Sequence, residues 1–147
     1  MKLKILDSSG CNLSLISSLE NLWPCFLEKL KNLFFQQRGL SWLMTNKKFA
    51  LNLYFVSEKK IKKINQEIFN KNLPTTVIAL PSNRQFLDSC IFLGDIYISK
   101  EEAKKQGFDI EALFLHGLLH LLGFDHKQPA DEKNFSLIEE KLSECLS

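Results

Sequence analysis

The chain has 147 residues, 45% of them hydrophobic, with 19 basic against 17 acidic side chains and a formal net charge of +2. That is the size of one ordinary domain, able to bury a core without staples, and the charge is too small to argue for nucleic acid by itself, because an electrostatic footprint depends on where charges lie. The longest apolar stretch, 112–124, is too short to cross a bilayer, so no membrane is expected.

In chain order, residues 2–6 alternate charged and apolar side chains as an edge strand would, and lack the uninterrupted apolar core of a signal peptide. An apolar-periodic stretch follows in which Pro24 fits the first turn of a helix running to residue 38, with Gly39 as its stop. The run 49–56 is rich in aromatic and branched residues and reads as a strand buried on both faces. Ser57 then caps a helix through Phe69 whose inner face carries Ile61, Ile64 and Ile68.

Residues 75–80 make a short strand, and the polar loop 81–89 leads into another at 90–98. The strand-helix-strand unit over 49–80 is expected to be a right-handed parallel crossover, and the loop over 80–90 is short enough for an antiparallel return. Asp95 follows Gly94 inside a strand pattern that disfavours it, which points to a bulge or to a role at a cleft. Ser99 and Glu102 form a capping-box signature for a brief helix ending at Gly107, and Asp109 can cap the next helix, apolar almost all round from Leu113 to Leu122 and so placed beneath the sheet. A last helix over 130–146 packs through Phe135, Ile138, Leu142 and Leu146.

Lysines cluster at 47–48, at 59, 60, 62 and 63, and at 100, 104 and 105. Such runs serve either as the wet face of a helix or as an RNA-tracking patch. The four cysteines, Cys11, Cys25, Cys90 and Cys145, show neither a C-x-x-C pair nor ligand spacing to the histidines. They read as reduced thiols, and a cytoplasmic location is expected.

All three histidines fall within eleven positions, as His116-x3-His120-x5-His126. Residues four apart on a helix share a face with Cβ atoms about 5–6 Å apart, so His116 and His120 can aim at one point. Gly123 ends the helix in the left-handed turn that brings His126 round to the same point. Three neutral imidazoles make an open site for one zinc ion or another divalent transition metal, with a fourth position for water. Buried among Leu and Phe, unpaired imidazoles would otherwise lose hydration with nothing to offset it. The expected fold is therefore α+β over 1–147, a single domain with a mixed, mostly parallel sheet of about four strands and about five helices, its metal site on a buried helix and the turn after it. No organic cofactor is expected.

The histidine and glycine positions match the metzincin pattern H-E-x-x-H-x-x-G-x-x-H, but Gly117 stands where the general-base Glu would be. A glycine inside a helix serves either close packing or space beside the metal for a bulky substrate. The longer combination of Leu93-Gly94-Asp95-Ile96, Ser99 and the stretch 116–126, with Ile64-Asn65, Pro74-Thr75 and Val77-Ile78 upstream, resembles the YbeY family of metal-dependent endoribonucleases that mature ribosomal RNA. The resemblance covers about residues 50–145. It implies hydrolysis of single-stranded ribosomal RNA at the 3′ end of the small-subunit precursor, with the small ribosomal subunit as partner.

In that setting zinc held by His116, His120 and His126 would bind water, lower its pKa toward about 7 and polarise a phosphate oxygen. Lined up on Asn65 and Pro74, the chain has Phe69 where the family has an arginine, and Thr76, Ala79 and Leu80 also depart from its pattern. An arginine there would stabilise phosphate charge. Lys71 or Arg84 can supply a cation instead, or each is an ordinary surface charge. Asp125 either orients an imidazole from behind or is a turn residue. A ribosome-associated metal-binding module without cleavage, and a metzincin-like hydrolase of another substrate, are the alternatives.

Overall fold

Strands β2 (Lys48–Phe55) and β5 (Cys90–Ile98) stand at the centre because both are long runs of aromatic and branched residues that tolerate burial on each face. The computed structural model describes residues 3–34, 48–83, 86–87, 90–124 and 129–146. Around the centre lie β1 (Leu3–Ser9), β3 (Val77–Pro81) and the two-residue β4 (Phe86–Leu87). The helices are α1 (Leu13–Glu20), α2 (Trp23–Phe34), α3 (Glu58–Phe69), α4 (Lys100–Gln106), α5 (Ile110–Leu121) and α6 (Pro129–Leu142), followed by a 3-10 turn, Ser143–Leu146.

The sheet order is β1-β2-β5-β3, with β4 pairing to β5 off that path. Strands β1, β2 and β5 run parallel, and β3 and β4 run antiparallel to β5. The fold is thus α+β with a mixed, mostly parallel sheet, as expected, and β4 adds to the four strands foreseen. The edge position of β1 is also as expected, and the Ile5 N–H donates to Glu20 Oε2 at 2.8 Å from α1.

The crossover expectation is corrected. β3 lies beside β5, not β2, and runs opposite to both. The longer β5 occupies the centre between them, and local sequence does not disclose which strand takes that place. Helix α1, capped by the Asn12 side chain accepting from the Leu15 N–H at 2.7 Å, had no separate signal in the periodic stretch before Pro24.

Alternation along β3 and β5 divides the two faces. Val77, Ala79, Ile96 and Ile98 join the main core with Trp23, Phe26, Phe114 and Leu118, whereas Ile78, Leu80 and Tyr97 pack with Ile61 and Ile64 of α3. Helices α3 and α5 therefore cover opposite faces of the sheet. Ile68 was expected on the inner face of α3 but is 49% exposed, because the helix runs on past the short edge strand that its first turns cover.

The caps follow the sequence closely. Ser57 Oγ accepts from the Lys60 N–H, and Ser99 Oγ from the Glu102 N–H. Only half of the expected capping box forms, since the Ser99 N–H donates to the Thr76 carbonyl and the Glu102 carboxylate takes Gln106 and Lys105 instead. Asp109 occupies the N-cap position of α5 without a side-chain capping bond.

The reading of the cysteines is also corrected: Cys25 of α2 and Cys145 of the terminal turn form a disulfide across 120 residues of chain, while Cys11 and Cys90 are free. Spacing rules see only local pairs, so such a link has no sequence signature. Beside it Lys29 and Glu144 form an ion pair at 2.6 Å.

Candidate functional site

Helix α5 is buried along Leu113, Phe114, Leu115, Leu118, Leu119 and Leu121, so its position relative to the sheet is set by packing on several sides. Its end is a Schellman motif. Gly123, at φ +95°, donates to the His120 carbonyl at 3.0 Å, and the Phe124 N–H donates to the Leu119 carbonyl at 3.0 Å. The glycine stop read from the sequence is therefore present, and it turns the chain immediately after the second histidine.

His116 and His120, both half-buried, lie on one face as their spacing requires. Their Nε2 atoms are 3.1 Å apart and their ring centroids 4.8 Å. Behind His116, its Nδ1 is 2.6 Å from Glu139 Oε1 on α6. An ionised carboxylate only accepts, so the Nδ1 carries a proton, and in the neutral ring the Nε2 of His116 then keeps its lone pair on the His120 side. Phe135, fully packed, sets its ring edge-on to His116 at 5.0 Å and tilted to His120 at 5.1 Å, which fixes both imidazoles from the α6 side.

This pair fits a metal. Two imidazole nitrogens bound about 2.0–2.1 Å from one tetrahedral ion stand about 3.3 Å apart, within a few tenths of the spacing found. The carboxylate on the far nitrogen is the partner that orients a ligating histidine. Among the described residues no group of three or more His, Cys, Asp or Glu side chains is gathered that could hold an ion. The third expected ligand, His126, lies outside the described residues, as do Asp125 and Arg84.

The sequence reading missed Glu139, which does for His116 what was considered for Asp125. It is one of several charged residues on α6, and only the docking of α6 against α5 singles it out. His116 and Glu139 also line a cleft of about 220 Å³ with Ala112, Leu115, Leu142 and Ser143.

Gly117 resolves toward close packing. A Cβ at this position would come within 3.1 Å of Ile96 Cδ1 and 3.2 Å of its Cγ2, so the residue faces β5. Gly117→Ala is expected to cost about 1 kcal/mol, the better helix propensity of Ala partly offsetting the displacement of Ile96. A thermal midpoint equal to or above that of the unaltered chain would contradict this packing. A larger side chain at 117, such as the glutamate of the metzincin pattern, would likewise start against Ile96 of β5.

Asp95 accompanies a bulge, one of the two readings made of it. Leu51 of β2 is opposed by both Leu93 and Gly94 of β5, and Asp95 Oδ1 accepts from Asn52 Nδ2 at 3.0 Å. Next to it Tyr97, stacked on Tyr54 at 5.0 Å, has its hydroxyl pKa raised, mainly by burial and secondarily by the Asp95 charge. Asn65 is buried, and its Nδ2 donates to the Leu73 carbonyl at 2.8 Å, bracing the loop into β3. Lys71 is exposed in that loop, beyond α3, and Phe69, the last residue of α3, is 47% exposed.

A profile of the family described as Endoribonuclease YbeY matches residues 27–147. The Endoribonuclease YbeY of Prochlorococcus marinus strain AS9601 is 32% identical over 178 aligned positions, covering 97% of this chain and 97% of that protein. The Acholeplasma laidlawii protein of the same description is 38% identical across 63% of this chain and 72% of its own length. The match to the Wigglesworthia glossinidia brevipalpis protein, at 37% identity, spans 56% of this chain and 59% of that relative. A solution structure from Thermotoga maritima is similar at a TM-score of 0.47 with 23% identity over 95% of this chain and 88% of its own, a likeness too loose to bear on the site.

Proposed function

Because this chain belongs to the YbeY family of endoribonucleases, we propose that it is a metal-dependent endoribonuclease acting on single-stranded ribosomal RNA, at the 3′ end of the small-subunit precursor. The observation that carries this reading is the convergence of His116 and His120 at 3.1 Å with Glu139 bound behind the first. Zinc is the ion that suits the donor set, with His126 as the third ligand. When bound, it supplies Lewis-acid polarisation of a phosphate oxygen and acidifies water.

The chain's own residues do the positioning. Glu139 fixes the tautomer of His116, Phe135 fixes both ring planes, and Gly117 lets α5 sit against β5 so that the histidine face is held by a rigid helix. The ribosome as partner places the reaction in the cytoplasm.

The test is single-turnover cleavage of a labelled small-subunit RNA precursor by zinc-loaded protein, beside a double-stranded control. Cutting confined to the single strand supports the reading, and an intact precursor sinks it. Glu139→Gln is expected to weaken zinc binding by about 10–100-fold, since the charged acceptor that holds the His116 ring and its tautomer from behind is lost. Competition with a chromophoric chelator measures this, and an unchanged affinity would remove Glu139 from the site.

One observation favours a second reading. At Phe69, where the family has arginine, an exposed aromatic ring offers no charge to a phosphate. A ribosome-associated metal-binding module that no longer cuts is the reading consistent with that loss. Co-sedimentation with the small subunit without cleavage would identify it, and restored cutting by Phe69→Arg would show which function was lost.

A further inference from the structure

Helix α3 carries Lys59, Lys60, Lys62 and Lys63, all exposed, on the sheet face opposite the histidine helix. The four lysines line a concavity of about 610 Å³, in which Glu67 is the acidic side chain. Counted over those lining residues, four positive charges face one negative.

This arrangement works against the helix itself. Lys59 and Lys60 sit in the first turn, where the macrodipole is positive and cations are disfavoured, while the last turn, which favours cations, has no basic residue. Lys59 repels Lys62 and Lys63 at helical spacing, and Lys60 repels Lys63. The neighbouring carboxylates relieve part of this, Glu58 and Glu101 lining an adjoining hollow with Lys59 and Lys62. Glu58 is held by Lys105 of α4 at 2.6 Å, though Lys62 also bears on its charge, and Glu67 stands 4.0 Å from Lys63 with both side chains mostly exposed. A solvated face needs no such concentration at the wrong end of a helix, whereas a polyanion would relieve all of these repulsions together.

We propose that the lysine-lined concavity of α3 is a docking surface for the phosphate backbone of RNA, separate from the histidine site and holding the substrate by charge. The inference rests on the reading of the chain as a protein that acts on RNA.

The test is equilibrium binding of a fluorescent single-stranded RNA by anisotropy across a salt series, with the RNA checked on a gel afterwards. Replacing Lys59, Lys60, Lys62 and Lys63 together by Gln is expected to weaken binding by about tenfold or more and to flatten the slope of log K against log salt by about 2.8, at about 0.7 per phosphate. The charge-matched control, Lys4, Lys31, Lys48 and Lys104 replaced by Gln, is expected to change the slope far less. A double variant, Lys59→Gln with Lys62→Gln, gives about half the effect and keeps the question open to decision should the quadruple variant fail to fold. An unchanged slope, or an equal loss in the control, overturns the proposal. So does lysine-dependent binding to phosphatidylserine vesicles without binding to RNA. Wild-type protein that binds RNA with the lysine-dependent slope yet leaves it intact supports this surface and overturns the nuclease. Wild-type protein that cuts RNA, with a slope indifferent to the lysines, does the reverse.

Discussion

His120→Ala is expected to abolish metal binding and reduce RNA cleavage by about 10³-fold or more. The estimate follows from the several kcal/mol of charge stabilisation that a bound ion supplies, each 1.36 kcal/mol being tenfold in rate. The same result is expected of His116→Ala, whose loss also frees Glu139, already 44% exposed in its side chain and able to take up water. Neither change should unfold the protein, because both rings are half-buried and the helix is anchored by Phe114, Leu118 and Leu119. Elemental analysis gives the first readout and the thermal midpoint the second. Chelation should lower the midpoint of the unaltered chain and leave the variants unmoved, because an ion that binds only the folded state stabilises it by mass action. Variants that keep a full complement of metal and still cut would exclude the histidine pair as the centre.

Gly94→Ala is expected to destabilise the fold by about 4 kcal/mol or more, lowering the midpoint by roughly 10 °C. Gly94 lies at φ +139°, a region L side chains rarely adopt. Its added Cβ would fall 2.2 Å from the Leu80 carbonyl oxygen, 3.0 Å from the Ser82 nitrogen and 3.0 Å from Leu121 on α5. Two of these three neighbours are backbone, so no side-chain rotation relieves the contact and β3 would have to leave β5. Gly107→Ala is the control, since its Cβ would meet nothing within 4 Å although its φ is +75°. Equal effects at both glycines would mean that backbone conformation alone, not the approach of β3 and α5, accounts for Gly94.

Much of the fold was legible. The strand over 90–98, the Ser57 and Ser99 caps, the glycine ends of α4 and α5 and the buried Phe135, Ile138 and Leu142 all follow from interactions within a few residues, which periodicity and capping chemistry report. The bulge at Gly94 was announced by an Asp-bearing step that a regular strand disfavours. What went wrong concerned distance along the chain. The direction of β3 depends on β5 coming between it and β2, the exposure of Ile68 on where the sheet ends, and the Cys25–Cys145 link on the terminal turn packing against α2.

The histidine pair itself was a sequence feature: a spacing of four on a helix is enough to put two imidazoles on one face, because helical geometry is local. Their orientation was not. Glu139, which selects the tautomer of His116, and Phe135, which fixes the ring planes, come from α6 and reach α5 only through the packed core, so no pattern in the chain could rank Glu139 above its acidic neighbours. Likewise Gly117 left two readings equally open until β5 was found against it, since whether an absent side chain makes room for a strand or for a substrate depends on what stands opposite.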